Sequence, residues 1–340
     1  MTTSSQPAVL ILGANGRIGL CLAQAFHEAG WRVIAQLRRS PDPRLAAAVQ
    51  VTQTDIGDSV QLARDGAGAS LVVHALNPYY TRWATELVPM ASAAMDVAQR
   101  LGARLLLPGN IYNFGAAMPP LLLENTPQTA ATRKGVLRTR LEAELERRAA
   151  EGRLAVSVVR AGDFFGASTG NWFDQAIVKS LRAGKLVYPG PLDVPHAWAY
   201  LPDLARAFVA LAERPARQCA AFERFHFAGH TLTGQQLLQA IQQAATILGV
   251  PRSRDWVHGN MPWSLIRLGG LVVPMWRELA EMAYLWSVPH ALDGHALERA
   301  VGPLVHTALP DAVRETLRGL GFGIPSTTTG AHTPFLAKHP

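Results

Sequence analysis

Gly13, Gly16 and Gly19 stand three residues apart in "LILGANGRIGLCLAQAF", between an apolar run and a helical pattern. That spacing can cradle a phosphate. The first glycine permits a tight turn, the second lets the backbone approach a pyrophosphate, and the third lets helix and strand pack closely. The start of the helix adds unpaired N–H groups and a partial positive charge. Asn15, Arg17 and Ile18 therefore join the glycines as candidate contacts. The competing reading is a glycine-rich turn with no ligand. No Gly-Lys-Ser/Thr ending follows, which favours a dinucleotide over ATP.

The end of the second strand-like run should choose the dinucleotide. An acid there would hold the ribose 2′-hydroxyl of NAD, whereas an arginine would accept the 2′-phosphate of NADP. The chain reads "WRVIAQLRRSPD", with Arg38 and Arg39 and no acid before Asp42. NADP(H) is expected over NAD(H), with Arg38 the chosen contact; two plainly solvated arginines are the alternative. Asp55 would face the adenine amino group, with Ile56 against the ring. Ala75 and Asn77, in "HALNP", would line the rest of the groove.

The elements that must hold these groups follow a pattern. Apolar runs at 8–13, 31–37, 49–55, 69–76, 103–109 and 154–162 alternate with helical stretches, notably 17–29, 82–101 and 136–150. Strands that are apolar throughout indicate a parallel sheet covered on both faces. The expected fold is α/β: a Rossmann-type, doubly wound sheet with a smaller, mostly helical C-terminal lobe. The dinucleotide-binding core spans 1–165 and takes back 195–230. The lobe comprises 166–194 and 231–325, and 326–340 is a polar tail.

Composition bounds the rest. The chain has 340 residues, 49% hydrophobic and 17% charged, with a formal charge of +7 and two cysteines. No basic block, zinc spacing or RNA-recognition signature accompanies the charge, so nucleic acid is not expected. Cys21 and Cys219 have no disulfide or metal spacing, which fits a reducing cytoplasm. No apolar run approaches the roughly 20 residues of a membrane span, and the N-terminus does not read as a signal peptide. The alanine-rich stretch "MASAAMDVAQRLG" suits either a homodimer contact or packing on the sheet.

"GANGRIG", "TDIGD", "GNIYNFG", "RAGDFFG" and "WAYLPDLARA", in that order, resemble landmarks of the extended short-chain dehydrogenases/reductases, the NAD(P)-dependent epimerase/dehydratase proteins. The resemblance covers roughly residues 8–230. It implies a Rossmann core, a C-terminal substrate lobe and chemistry that begins with hydride transfer. It also implies a Ser, Tyr and Lys set, with Tyr and Lys in a Tyr-x-x-x-Lys helix. No tyrosine of this chain has lysine four residues on. Matching the helix by its later glutamate puts Val136 at the tyrosine position and Arg140 at the lysine position. Asn110 then falls at the serine position.

Four side chains are left as catalytic candidates. Arg140 could hold the nicotinamide ribose or a phosphate, or could pair with Glu144 on the surface. Asn110 could donate to a substrate carbonyl, or could close a turn. Tyr112 could replace the missing phenol as acid, or could be packed beneath the lobe. Asp163 could bind substrate hydroxyls or act as a base, or could cap a turn; its charge argues against a sugar-nucleotide diphosphate. Phe164, Phe165, Trp172, Trp198, Tyr284 and Trp286 could line an apolar pocket. His74, His196 and His290 lack metal spacing and read as structural or surface residues, so no metal is expected. The chain is thus read as an NADP-dependent oxidoreductase or epimerase/dehydratase-like enzyme acting on a small carbonyl or hydroxyl compound. The alternative is a non-catalytic NADP-binding sensor or accessory protein.

Overall fold

The computed structural model describes residues 6–166 and 169–323. The polar tail at 326–340 lies outside the described residues. In chain order the first half runs β1 (Ala8–Leu12), α1 (Arg17–Glu28), β2 (Arg32–Gln36), β3 (Gln50–Thr52), α2 (Ser59–Asp65), β4 (Leu71–His74), α3 (Trp83–Leu101), β5 (Arg104–Gly109), β6 (Leu121–Leu122), α4 (Arg133–Ala150) and β7 (Val156–Arg160). The second half runs β8 (Asp163–Phe165), β9 (Lys185–Tyr188), β10 (Pro195–Tyr200), α5 (Leu201–Ala212), β11 (Phe222–His226), β12 (His230–Thr233), α6 (Gly234–Ile247), β13 (Val257–Asn260), α7 (Trp263–Gly269), α8 (Pro274–Glu281), β14 (Ala291–Leu292), α9 (His295–Val301) and α10 (Leu309–Gly319).

Seven of these strands form one parallel sheet in the order β11-β7-β5-β4-β1-β2-β3. Alternation along β1 assigns its side chains to two layers. Leu10 and Leu12 join one core with Trp83, Leu87, Met95, Leu141 and Leu145. Val9 and Ile11 join another with Leu22, Phe26, Leu204 and Phe208. Both faces are covered, which is why the central strands β1, β4 and β7 are buried throughout. Strand order reverses between β1 and β4, so the connections at their carboxyl ends diverge and leave a crevice. A third core, with Phe165, Phe173, Trp198, Leu237, Ile241 and Trp286, holds the C-terminal lobe together. Short strands also pair outside the main sheet: β10 pairs with β8 and β12, β9 with β13, and β6 with β14. Ala91, Ala94 and Ala98 of the alanine-rich helix are buried against the chain's own sheet. No helix among the described residues is long and apolar enough to cross a membrane.

Helix α4 decides what faces the crevice. It begins at Arg133, three residues before the expected start, because the Thr132 hydroxyl caps the Gly135 N–H at 3.0 Å. Its rotation is fixed by Glu142. That carboxylate is buried and accepts two hydrogen bonds from the buried Arg160 of β7, one from Nε at 3.0 Å. Asn113 donates to the same carboxylate at 2.9 Å, and Arg224 lies 3.3 Å from it. Arg160 also covers the Phe114 ring and meets His226 Nε2 at 3.3 Å. A buried pair this fully bonded offsets its desolvation; a broken one does not. Glu142→Leu is expected to cost about 3–5 kcal/mol by leaving Arg160 unmatched. Adding Arg160→Met should recover most of that loss in urea denaturation. Additive losses in the double variant would show that the two do not act as a pair.

Candidate functional site

The glycine loop opens into the crevice between β1 and β4. Gly13 has φ +85°, and a Cβ there would meet the Leu76 side chain at 2.8 Å. A Cβ on Gly19 would lie 2.2 Å from the Gly13 carbonyl, so helix and turn approach only because that atom is missing. Gly16 and Asn15 are exposed at the mouth of the loop, Arg17 is half-buried there, and Ile18 is buried. Asn15 ties the loop to the segment after β2, donating to the Ser40 carbonyl at 2.8 Å and accepting the Asp42 N–H at 3.1 Å. Ala75 is buried at the end of β4, and Asn77 is exposed beyond it. Asp55 is exposed and accepts the Gly57 N–H at 2.8 Å, while Ile56 packs against the core. The glycine turn thus lies at the carboxyl end of β1, where strand order reverses, the place at which such sheets bind nucleotides.

At the end of β2 the buried residue is Gln36. Its side chain accepts the Gly13 N–H and donates to the Thr54 carbonyl. Arg38 and Arg39 follow and are both exposed. The next acid, Asp42, is held by the Arg44 guanidinium at 2.9 Å, which lowers its pKa.

Beyond the groove, the inward face of α4 carries Lys134 and Arg138, four residues apart, with Glu142 a turn further on. Val136 and Arg140 are exposed. Arg140, chosen from the sequence, is thus turned to solvent, and Lys134 and Arg138 take the inward face instead. Glu144 pairs with Arg147 and Arg148, so the expected Arg140–Glu144 pair is also replaced. Lys134 is buried and held by Glu278 and, at 2.8 Å, by Glu281, both from α8. Arg138 lies over the Trp83 ring, 4.9 Å from its centre.

Tyr112 is buried, and its hydroxyl lies 2.8 Å from that of Tyr80, with either oxygen able to donate. Burial, then the neighbouring Tyr80 and Asp163, hold the Tyr112 phenol well above its ordinary pKa. Burial likewise raises Tyr80. Asn110 closes the turn by accepting the Tyr112 N–H at 3.1 Å. Asp163 sits on β8, and its Oδ2 lies 2.9 Å from His196 Nε2. His196 is buried and stacks on Trp286 with ring centres 4.3 Å apart; His290 meets its edge at 4.5 Å. Burial, then Arg138, lowers His74 to about 3. Burial, then His196, lowers His290 to about 3. Of the proposed aromatic lining, Phe165, Trp198 and Trp286 belong to the lobe's core, with Trp172 packed against it. Phe164 packs on one sheet layer and Tyr284 on the other.

Tyr80 and Lys134 escape a reading from sequence, which takes His196 as structural or surface and Arg138 chiefly as a surface partner of Glu142, the acid that Arg160 and Arg224 in fact hold. Spacing carries no signal for the histidines, but the alternative glutamate, Glu142, would have placed Lys134 and Arg138 correctly. Away from the groove, donor atoms of Asp203, His230 and His306 lie within 4.8 Å of one another, a grouping that sequence spacing does not suggest. Asp203 is already bonded by Arg206 and Thr307.

A model of the NAD dependent epimerase/dehydratase family matches residues 9–221, more than half of the chain. The chain belongs to that family. Among relatives of this epimerase/dehydratase-family protein, a 3-diazoavenalumate denitrifying reductase from Streptomyces is 31% identical over 225 residues, 62% of this chain and 74% of that protein. An L-threonine dehydrogenase from Cupriavidus necator, in its holo form, superposes with a TM-score of 0.71 at 20% identity, covering 92% of this chain and 100% of the other. The UDP-glucose 4-epimerase of Thermotoga maritima with UDP-glucose superposes with a TM-score of 0.70 at 15% identity, covering 92% and 98%. At those identities the two structures bear on the fold alone. The family binds NAD(P) nucleotides and carries oxidoreductase-type chemistry.

Three buried histidines set a dependence on pH. His74 and His290 are lowered to about 3, and His226 to about 4 by burial and then Arg160. Their folded pKa values lie below the unfolded value, so the unfolded chain binds more protons between those limits. Stability is complete above about pH 6.5 and falls as pH drops. Each is expected to contribute a loss on the order of 2 kcal/mol at pH 5. Thermal unfolding at pH 7.5 and pH 5 measures it; an unchanged Tm would show that the histidines are not held neutral.

Proposed function

We propose that the protein is an NADPH-dependent reductase of a small electrophilic compound. The observation that carries this reading is the state of the phenols. In the tyrosine-lysine arrangement implied by the sequence resemblance, lysine lowers the tyrosine pKa so that tyrosinate can take a proton from a hydroxyl. Here Tyr80 and Tyr112 are bonded to each other with raised pKa values. The Lys134 amine, 5.2 Å from the centre of the Tyr80 ring, is already taken up by Glu278 and Glu281. Such phenols stay protonated at neutral pH, the form in which a group can act as a general acid. Proton donation is what the reduction of a carbonyl requires.

Bound NADPH would supply a hydride at the inner end of the groove. Arg38 would meet the 2′-phosphate, with Arg39 beside it, and the neutral Gln36 and the Arg44-held Asp42 leave no free acid to favour NAD. Tyr112 would give its proton to an oxyanion formed on the acceptor, and Tyr80 would replenish it through the shared hydrogen bond. Asn110, whose Oδ1 closes the turn, retains an amide N–H to polarise the acceptor. Asp163 and His196 would orient substrate from the lobe side. The name of the 31%-identical reductase supports the direction of reaction. A diazo acceptor of the kind in that name demands less still, because hydride addition at nitrogen builds no alkoxide. The absence of the Tyr-x-x-x-Lys pair also supports the second reading, an NADP-binding accessory protein without turnover.

Fluorescence titration is expected to show NADPH binding about tenfold tighter than NADH, with Arg38→Asp abolishing the preference. Equal affinities in the wild type would remove the NADP assignment. NADPH consumption should be detectable with a panel of aromatic aldehydes, enones and diazo carboxylates. With an aldehyde, Tyr112→Phe should lower turnover about 10²-fold or more without weakening NADPH binding. Tight NADPH binding with no consumption across the panel would favour the accessory reading.

A further inference from the structure

Arg138, beside the two phenols and over Trp83, is a cation that the protein itself does not match. Its Nε is shielded from solvent and has no hydrogen-bond acceptor. Among the described residues no carboxylate lies within ion-pair distance of its guanidinium. The nearest acid in its electrostatic surroundings, Glu142, is already engaged by Arg160 and Arg224. Lys134, one turn earlier on the same helix, offers the contrast, because Glu278 and Glu281 both hold it. One face of the Arg138 guanidinium is covered by Trp83, and Tyr80 and Tyr112 stand beside it. A partly buried cation left unmatched costs stability, which a ligand of opposite charge restores.

We propose that Arg138 is the subsite for a carboxylate on the substrate, so that the pocket takes a small unsaturated carboxylic acid. The inference rests on the reading that this pocket holds the hydride acceptor. A guanidinium with one face stacked still offers an edge of parallel N–H groups, and a planar two-oxygen anion matches that edge. One unmatched positive charge suits a monoanion better than a phosphate dianion. The neighbouring rings of Tyr80, Trp83 and Tyr112 suit a flat, conjugated carbon frame. The same geometry makes Arg138, and not the exposed Arg140, the arginine of α4 that selects substrate.

Calorimetric titration of the NADPH-loaded protein with cinnamate, cinnamamide and inorganic phosphate tests the subsite. Cinnamate is expected to bind about tenfold or more tightly than either of the others. Arg138→Met should abolish the preference for cinnamate over cinnamamide, leave NADPH affinity within about twofold, and raise the Tm of the ligand-free protein. Arg138→Lys should keep part of the preference. Equal binding of cinnamate and cinnamamide by the wild type would overturn the proposal. So would loss of NADPH affinity in Arg138→Met, which would assign the arginine to the cofactor, or a lowered Tm with cinnamate binding intact, which would make it structural. The reductase reading fails separately, if no acceptor consumes NADPH; the cinnamate comparison then still decides the subsite.

Discussion

The bidentate contact between Glu142 and Arg160 is the constraint on which the site depends. It joins α4 to β7 inside the protein, and Asn113 and His226 complete its hydrogen bonds. A helix pinned at one buried residue has its rotation set, so residues four and eight positions earlier share that inward face. Those residues are Arg138 and Lys134. The charge pattern of the pocket follows. Two glutamates of α8 neutralise Lys134, Arg160 and Arg224 take up Glu142, and Arg138 is left over. His74, beside Arg138, is held neutral by burial and by that charge.

The same packing sets the proton chemistry. A lysine beside a phenol would lower its pKa; burial beside a second phenol raises it. Tyr80 and Tyr112 therefore stay protonated at neutral pH, the form that the proposed reduction would use. The cofactor groove is independent of this arrangement. It arises from the glycine turn at the reversal of strand order, a consequence of topology that many chemistries share. Membership of the epimerase/dehydratase family thus accounts for the groove, while the side chains beside it are particular to this chain's packing.

Most of the sheet was legible because its central strands are apolar on both faces and are bounded by turns, and the glycine loop carried its own context. Strand ends moved by one to three residues where pairing stops, as at the exposed edge strand Gln50–Thr52. The active-site helix was legible as a helix and misread in register. Glu142 and Glu144 are both candidates for the reference glutamate, and only burial separates them. The partner that buries Glu142 is Arg160, on a strand whose contact with the helix no local pattern reveals. Tyr80 escaped notice for a similar reason: it lies in a short turn before α3, and only the fold brings its hydroxyl to Tyr112. His196 meets Asp163 because β10 pairs with β8, a contact across 33 residues of sequence.

The proposed reduction requires that the Tyr112 phenol keep its proton until an acceptor takes it. Ultraviolet difference titration of tyrosine ionisation, comparing the wild type with Tyr112→Phe, measures this. Tyr112 is expected to remain un-ionised at pH 10, where a free tyrosine is about half ionised. A phenolate signal that appears near neutral pH in the wild type and is missing from Tyr112→Phe would contradict it.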